Sequence, residues 1–221
     1  MKLEVVSWVF CAYVHRVTTL LREKQATFDL KYVDLSNKPD WFLQLSPTGK
    51  VPVLVVDGTP LFESLVINEF VDEVCAPRML PESPIGRARH RAMVRRGEDL
   101  FDAMNNMLVG PTEEAHDKGR KAVNEVLASY EREIEGPLFA GSSFSLVDAA
   151  AAPMLYRCVL LQRNSEARLF QDFPKVSRWA EALADRPSVV GGVVDDFVPS
   201  YIKRVRGFRA ASFFASKYFP G

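Results

Sequence analysis

The segment LEVVSWVFCAYVHRVTTLLREKQATFDLKYVDL, residues 3–35, carries three elements in a fixed order. LEVVSW and FDLKYVDL are short runs rich in the β-branched, aromatic and aliphatic residues that favour strands. Between them, AYVHRVTTLLREK sets Val14, Val17, Leu20 and Leu21 at the i, i+3, i+4 spacing of an amphipathic helix. Two strands joined through a helix are expected to be parallel, with a right-handed crossover. Downstream, VPVLVVDGTPLFES (51–64) gives two further strand runs around Asp57-Gly58, a hairpin turn signal, and LVINEFVDEV (65–74) follows as a helix. The order βαβ then ββα predicts a small mixed sheet with helices on its faces.

Beyond residue 76 the pattern changes. A Pro-rich connector, CAPRMLPESP (75–84), leads into IGRARHRAMVRRGEDLFDAMNNML (85–108), and the remainder reads as helical almost throughout. We therefore expect a first domain over residues 1–76, a linker over 77–84 and an all-helical domain over 85–221. In SFSLVDAAAAPMLYRCVLL (143–161), Ser145 stands three residues before Asp148, a capping box with Asp in the usual Glu position. That spacing makes Asp148 a helix cap and not a catalytic acid.

Composition narrows the function classes. The 221 residues are 48% hydrophobic and 25% charged, which excludes a disordered or collagen-like chain. Twenty-eight basic and 28 acidic side chains cancel, removing the electrostatic footprint of a nucleic-acid binder. The basic run GRARHRAMVRR (86–96) is followed on the same predicted helix by Glu98, Asp99 and Asp102, so it reads as a solvated or subunit-facing surface. No segment reaches transmembrane length and no secretory signal is recognisable. Cys11, Cys75 and Cys158 are too few and too scattered for a zinc site or a disulfide framework. His15 and His90 lack metal-spaced partners, so no metal site is expected. These features point to a cytoplasmic protein with a small-molecule ligand.

Four positions invite a chemical reading. Cys11 precedes the first helix, where unpaired amides and the helix dipole favour a thiolate; it could equally be a small buried hydrophobe. Pro52 cannot donate to a sheet ladder and belongs at a strand start, beside Val51. Glu63 and Ser64 lie between a strand and a helix whose N-terminal amides can hold a carboxylate, although Ser64 also suits a plain N-cap. Lys38, in LSNKPDWF, reads by itself as a surface lysine.

Taken together, a cysteine opening the first helix of a βαβ-ββα domain, NKPDWFLQLSPTGKVPVL (37–54), LFESLVINEFVDE (61–73) and a helical second domain with an S-x-x-D cap resemble a cytosolic glutathione transferase of the omega-like, cysteine type. The resemblance runs from Lys2 to about Tyr201 and implies a thioredoxin-like α/β N-terminal domain followed by an all-α domain. It implies glutathione as cosubstrate, with Cys11 forming a mixed disulfide and a cis bond at Val51-Pro52 presenting Val51 to the peptide-like ligand. It also implies that Glu63 meets the ammonium and Ser64 the carboxylate of the γ-glutamyl end, and that Lys38 lies near the glycine carboxylate. An oxidised, glutathionylated or electrophilic acceptor is then expected between the domains, against the helix entered by RARHRAMV and residues Tyr13, Phe197 and Tyr201. Relatives dimerise, so a homodimer is expected.

The sequence departs from that family at two points. Ala12 stands where a proline usually follows the cysteine, and Val14 occupies the place of a second redox cysteine, leaving a monothiol cycle. The resemblance suits thiol transfer, dehydroascorbate reduction or reduction of glutathionyl ketones. Conjugation or isomerisation of electrophiles, and a non-enzymatic binding or regulatory role, are the alternatives. The closing VRGFRAASFFASKYFPG (205–221) has no counterpart in the family and is expected to form a helix capping the second domain.

Overall fold

The computed structural model describes residues 1–219; Pro220 and Gly221, the end of the closing segment, lie outside the described residues. The first half contains β1 (Leu3–Ser7), α1 (Ala12–Glu23), β2 (Asp29–Tyr32), α2 (Asp40–Leu45), β3 (Val53–Val56), β4 (Thr59–Phe62) and α3 (Ser64–Val74). The sheet order is β2-β1-β3-β4. β1 pairs in parallel with β2, as the helical crossover requires, while β3 runs antiparallel to β1 and to β4. Asp57 and Gly58 turn the hairpin with φ of 47° and 89°, the left-handed conformation that such a turn demands. Val5, Val6, Val53 and Leu54 of the sheet and Val17, Leu20, Ile67 and Val71 of α1 and α3 are fully buried. The short helix α2 was not anticipated; it seats Phe42 in the same core.

The second half is helical: α4 (Pro84–Val109), α5 (Glu113–Glu133), α6 (Leu146–Asn164), α7 (Pro174–Ala184), α8 (Pro187–Val190), α9 (Phe197–Gly207) and α10 (Phe213–Tyr218). Helix α6 is buried on all sides from Leu146 to Leu161, as expected of a central helix whose sequence is apolar around its whole circumference. The capping box is closed in both directions: Ser145 Oγ accepts from the Asp148 amide at 3.4 Å, and Asp148 Oδ2 accepts from the Ser145 amide at 2.8 Å. Helices α4 and α5 approach so closely that a Cβ on Gly119 would lie 2.6 Å from the Met107 amide nitrogen, which only glycine avoids. Within the described part of the closing segment, Phe214 is fully buried and Phe219 nearly so. No helix among the described residues is long and apolar enough to cross a membrane.

Candidate functional site

Cys11 is the N-cap of α1, its carbonyl accepting the first helical bond from His15 at 3.1 Å. Ala12 in the first turn is compatible with the helix, whose propagation does not need a proline there. The thiol is partly buried and points at the Val51 carbonyl, 3.8 Å away. The bond between Val51 and Pro52 is cis. Just beyond it, β3 begins, so Pro52 sits at the strand start where its missing donor costs nothing.

The loop that delivers Val51 is fixed by Ser46, whose hydroxyl donates to the Lys50 carbonyl at 2.8 Å and accepts from the Lys50 amide at 3.0 Å. Gly49 turns within it at φ 61°, and the Lys38 side chain lies across this glycine, its Nζ 3.2 Å from where a Cβ would stand. Glu63 caps α3 with φ 69° and ψ 106°, a left-handed conformation that costs a non-glycine residue about 1–3 kcal/mol. Backbone strain of this kind concentrates at ligand sites, and it turns the exposed Glu63 away from the strand path just before the first amides of the helix. Ser64 follows, buried, its Oγ accepting from Arg16 Nη1 at 3.0 Å.

A cavity of about 510 Å³ gathers these positions: Cys11, Lys38, Val51, Pro52, Glu63 and Ser64 all line it. Local patterns did not point to three more participants. Lys50 and Glu98 line the same space, and Arg16, its side chain fully buried, bridges Ser64 to Glu98 from behind. Glu98 was expected to be one acid of a solvated helix face; only the packing of α4 against α1 could reveal its role.

The electrostatics correct one expectation. Burial pushes the Cys11 thiol up from its ordinary value, and this outweighs the Val14 and Tyr13 amides and the Arg157 and Arg16 guanidinium groups, all of which favour the thiolate. No cap hydrogen bond closes on the sulfur. Cys158 is pushed to about 12 by complete burial, whereas Cys75 is partly exposed.

A second cavity, of about 460 Å³, lies between the halves, walled by α1, α4, α6 and α9. Tyr13 and Tyr201 line it, on the side of α4 carrying Phe101, Asp102 and Asn105 and well past RARHRAMV. Phe197 does not line it. Its ring stacks behind Tyr201, with centroids 5.5 Å apart and planes 7° from parallel, and is covered by the Arg157 guanidinium at 4.9 Å. No cluster of three or more His, Cys, Asp or Glu suited to a metal occurs among the described residues.

Comparison with known proteins finds relatives for the sequence and for the fold. Residues 10–74 match the glutathione S-transferase N-terminal domain and residues 113–182 the C-terminal domain of the same family. A rice protein, probable glutathione S-transferase DHAR1, cytosolic (Oryza sativa subsp. japonica), is 32% identical over 81% of this chain and 82% of its own length. Pyrimidodiazepine synthase of Drosophila melanogaster is 29% identical over 92% of this chain and 86% of its own. Among solved structures, glutathione transferase Omega 3C from Trametes versicolor superposes with a TM-score of 0.80 at 28% identity, covering 88% of this chain and 90% of that one.

Proposed function

The chain belongs to the glutathione S-transferase family, and from that premise we propose that it is a glutathione-dependent thiol transferase or reductase whose nucleophile is Cys11. The observation that carries this reading is the single cavity shared by Cys11, Lys38, Val51, Pro52, Glu63 and Ser64. Glutathione docks along Val51, its γ-glutamyl ammonium at Glu63, the neighbouring carboxylate at Ser64 and the first amides of α3, and its glycine carboxylate at Lys38. Because Arg16 donates to the Ser64 oxygen, the Ser64 proton stays free to donate to that carboxylate.

The chemistry is two thiol exchanges. Cys11 loses its proton to solvent and attacks the glutathionyl sulfur of a mixed disulfide; the new S–S bond forms as the old one breaks, and the acceptor leaves as a thiolate that takes up a proton. A second glutathione thiolate then attacks the adduct, giving oxidised glutathione and free Cys11. The net reaction consumes one glutathione per acceptor reduced. Glutathionyl ketones follow the same cycle with an enolate, protonated at carbon, leaving in place of the thiolate. Dehydroascorbate consumes two glutathiones: Cys11 adds to a carbonyl, one glutathione thiolate attacks the Cys11 sulfur to release ascorbate and leave the mixed disulfide, and the second resolves it to oxidised glutathione.

One observation favours conjugation as a second reading. A thiol held protonated by burial can donate to the thiolate of glutathione and leave that sulfur to attack an electrophile. Cys11→Ser separates the two: it should abolish thiol transfer to a small disulfide, because no S–S bond can form at a hydroxyl, while conjugation persists. Peptide mapping after exposure to oxidised glutathione should find the adduct on Cys11. Transfer retained by the variant, or an adduct confined to Cys75 or Cys158, would overturn the first reading, and absence of any adduct or turnover would favour a non-enzymatic module. Homodimerisation belongs to the same proposal, since Phe62, Val66 and Ile85 leave apolar surface outward on β4, α3 and α4. Sedimentation at about twice the chain mass of 24.9 kDa is expected, and a monomer throughout the micromolar range would refute it.

A further inference from the structure

Two arginines line the second cavity. Arg157, on α6, is 4% exposed; its Nη1 donates to the Pro153 carbonyl at 2.8 Å and approaches His15 Nδ1 at 3.1 Å, and its Nη2 donates to the Phe10 carbonyl at 3.2 Å. All of these acceptors are neutral. Among the described residues no Asp or Glu hydrogen-bonds or pairs with it, and the ionisable side chains around it are the tyrosines and thiols Tyr201, Cys11, Tyr156 and Cys158. His15 adds no negative charge: its Nε2 donates to the Val189 carbonyl at 2.7 Å, so Nδ1 is the lone-pair nitrogen facing Arg157.

Arg204, on α9 at the mouth of the same cavity, is held among the rings of Trp8, Phe10 and Phe208, with its guanidinium carbon 5.4–5.6 Å from their centroids. Aromatic faces orient a guanidinium without neutralising it. Asp102 is the one acid on the wall, and it is exposed at the mouth. A buried cation is costly unless a carboxylate or another anion faces it, and among the described residues no such group faces Arg157. Phe10 ties the two together, its carbonyl on Arg157 and its ring against Arg204, and Cys11 is the next residue.

The geometry points to an anionic acceptor: the second cavity selects substrates that carry a carboxylate or equivalent anion, received by Arg157 at its floor and Arg204 at its mouth, with the rest of the molecule against Tyr13, Phe101 and Tyr201. This names the substrate class of the thiol-transfer reading above and rests on it for chemistry, but the selectivity is a property of the cavity itself. An aromatic ketone bearing a carboxylate suits the dimensions and the lining.

The test uses 4-acetylbenzoate and its uncharged methyl ester, followed by ligand-detected NMR on the full chain carrying Cys11→Ser, with glutathione binding measured separately by calorimetry. The carboxylate should bind about tenfold tighter than the ester, the scale of one charge-assisted hydrogen bond in a dry site. Arg157→Met and Arg204→Met, each added singly, should bring that ratio toward one, and the exposed Arg204 keeps the test open even where Arg157→Met folds poorly. Equal affinity for acid and ester, or a ratio that survives both substitutions, would overturn the inference whether or not glutathione binds. A preserved ratio in a chain that fails to bind glutathione would keep the inference and overturn the glutathione reading instead.

Discussion

Helix α6 holds two buried charges, about two and a half turns apart, that are treated in opposite ways. At its N-terminus the Asp148 carboxylate is saturated: Oδ1 accepts from the Phe139 amide at 2.9 Å and from Trp179 Nε1 at 2.7 Å, while Oδ2 accepts from the Ser145 amide at 2.8 Å and the Ser145 hydroxyl at 2.6 Å. Burial still holds its acidity weaker than usual, although every one of those donors pulls the other way. In the middle of the helix, Arg157 is equally hidden yet faces only carbonyls and a neutral imidazole. A charge whose bonds are completed by the protein is a structural joint. A charge left electrically unanswered beside a cavity is available to a ligand.

The sharpest way to break this comparison is to truncate both. Asp148→Ala strands the Phe139 and Ser145 amides and the Trp179 indole N–H in the core, at about 1–3 kcal/mol each, so a loss of about 3–5 kcal/mol is expected. Arg157→Met, a replacement of similar length without the charge, removes a desolvation cost together with its hydrogen bonds, so we expect a loss under about 2 kcal/mol. Urea denaturation of both variants decides the matter. Equal losses would mean that Arg157 is as structural as Asp148.

The same pair shows why parts of the site were legible in the sequence. Asp148 could be recognised because its cap partner lies three residues away, within one helical turn. The positions of Cys11, Pro52, Glu63 and Ser64 were legible for a similar reason, since each sits where a strand or loop meets the next element, but their roles toward a ligand came from the family resemblance and not from that local pattern. Arg157 could not be recognised: its neighbours Phe10 and His15, at the start of α1, and Phe197 and Tyr201, on α9, are brought to it from two distant stretches by helix packing. Phe197 shows the converse error. An aromatic residue near a helix start looked like a pocket wall, but the three-dimensional stack placed Tyr201 in front of it. The raised thiol of Cys11 was hidden for the same reason, because a helix start can be seen in sequence and the depth of its burial cannot.

The smallest effect concerns the imidazole that keeps Arg157 company. His15 is buried, and burial first and the Arg157 charge second push its pKa down to about 3, against the weaker opposing bond to the Val189 carbonyl. A folded-state value below the unfolded value of about 6.5 means that, between the two, the unfolded chain binds a proton that the folded chain refuses. Stability contributed by neutral His15 is therefore complete above pH 6.5 and is lost as pH falls toward 3, with a slope of up to about 1.4 kcal/mol per pH unit. Other carboxylates and histidines titrate in the same range, so the measurement is the difference between wild type and His15→Gln. Glutamine has an amide donor for the Val189 carbonyl but does not titrate. The wild type should lose about 2 kcal/mol more than the variant between pH 7 and pH 5. In an Arg157→Met background the facing cation is gone, so the slope should end at a higher pH and the difference, followed from pH 7 down to pH 3, should shrink. A difference that is flat with pH, or unchanged by removing Arg157, would show that the two groups do not share one buried electrostatic site.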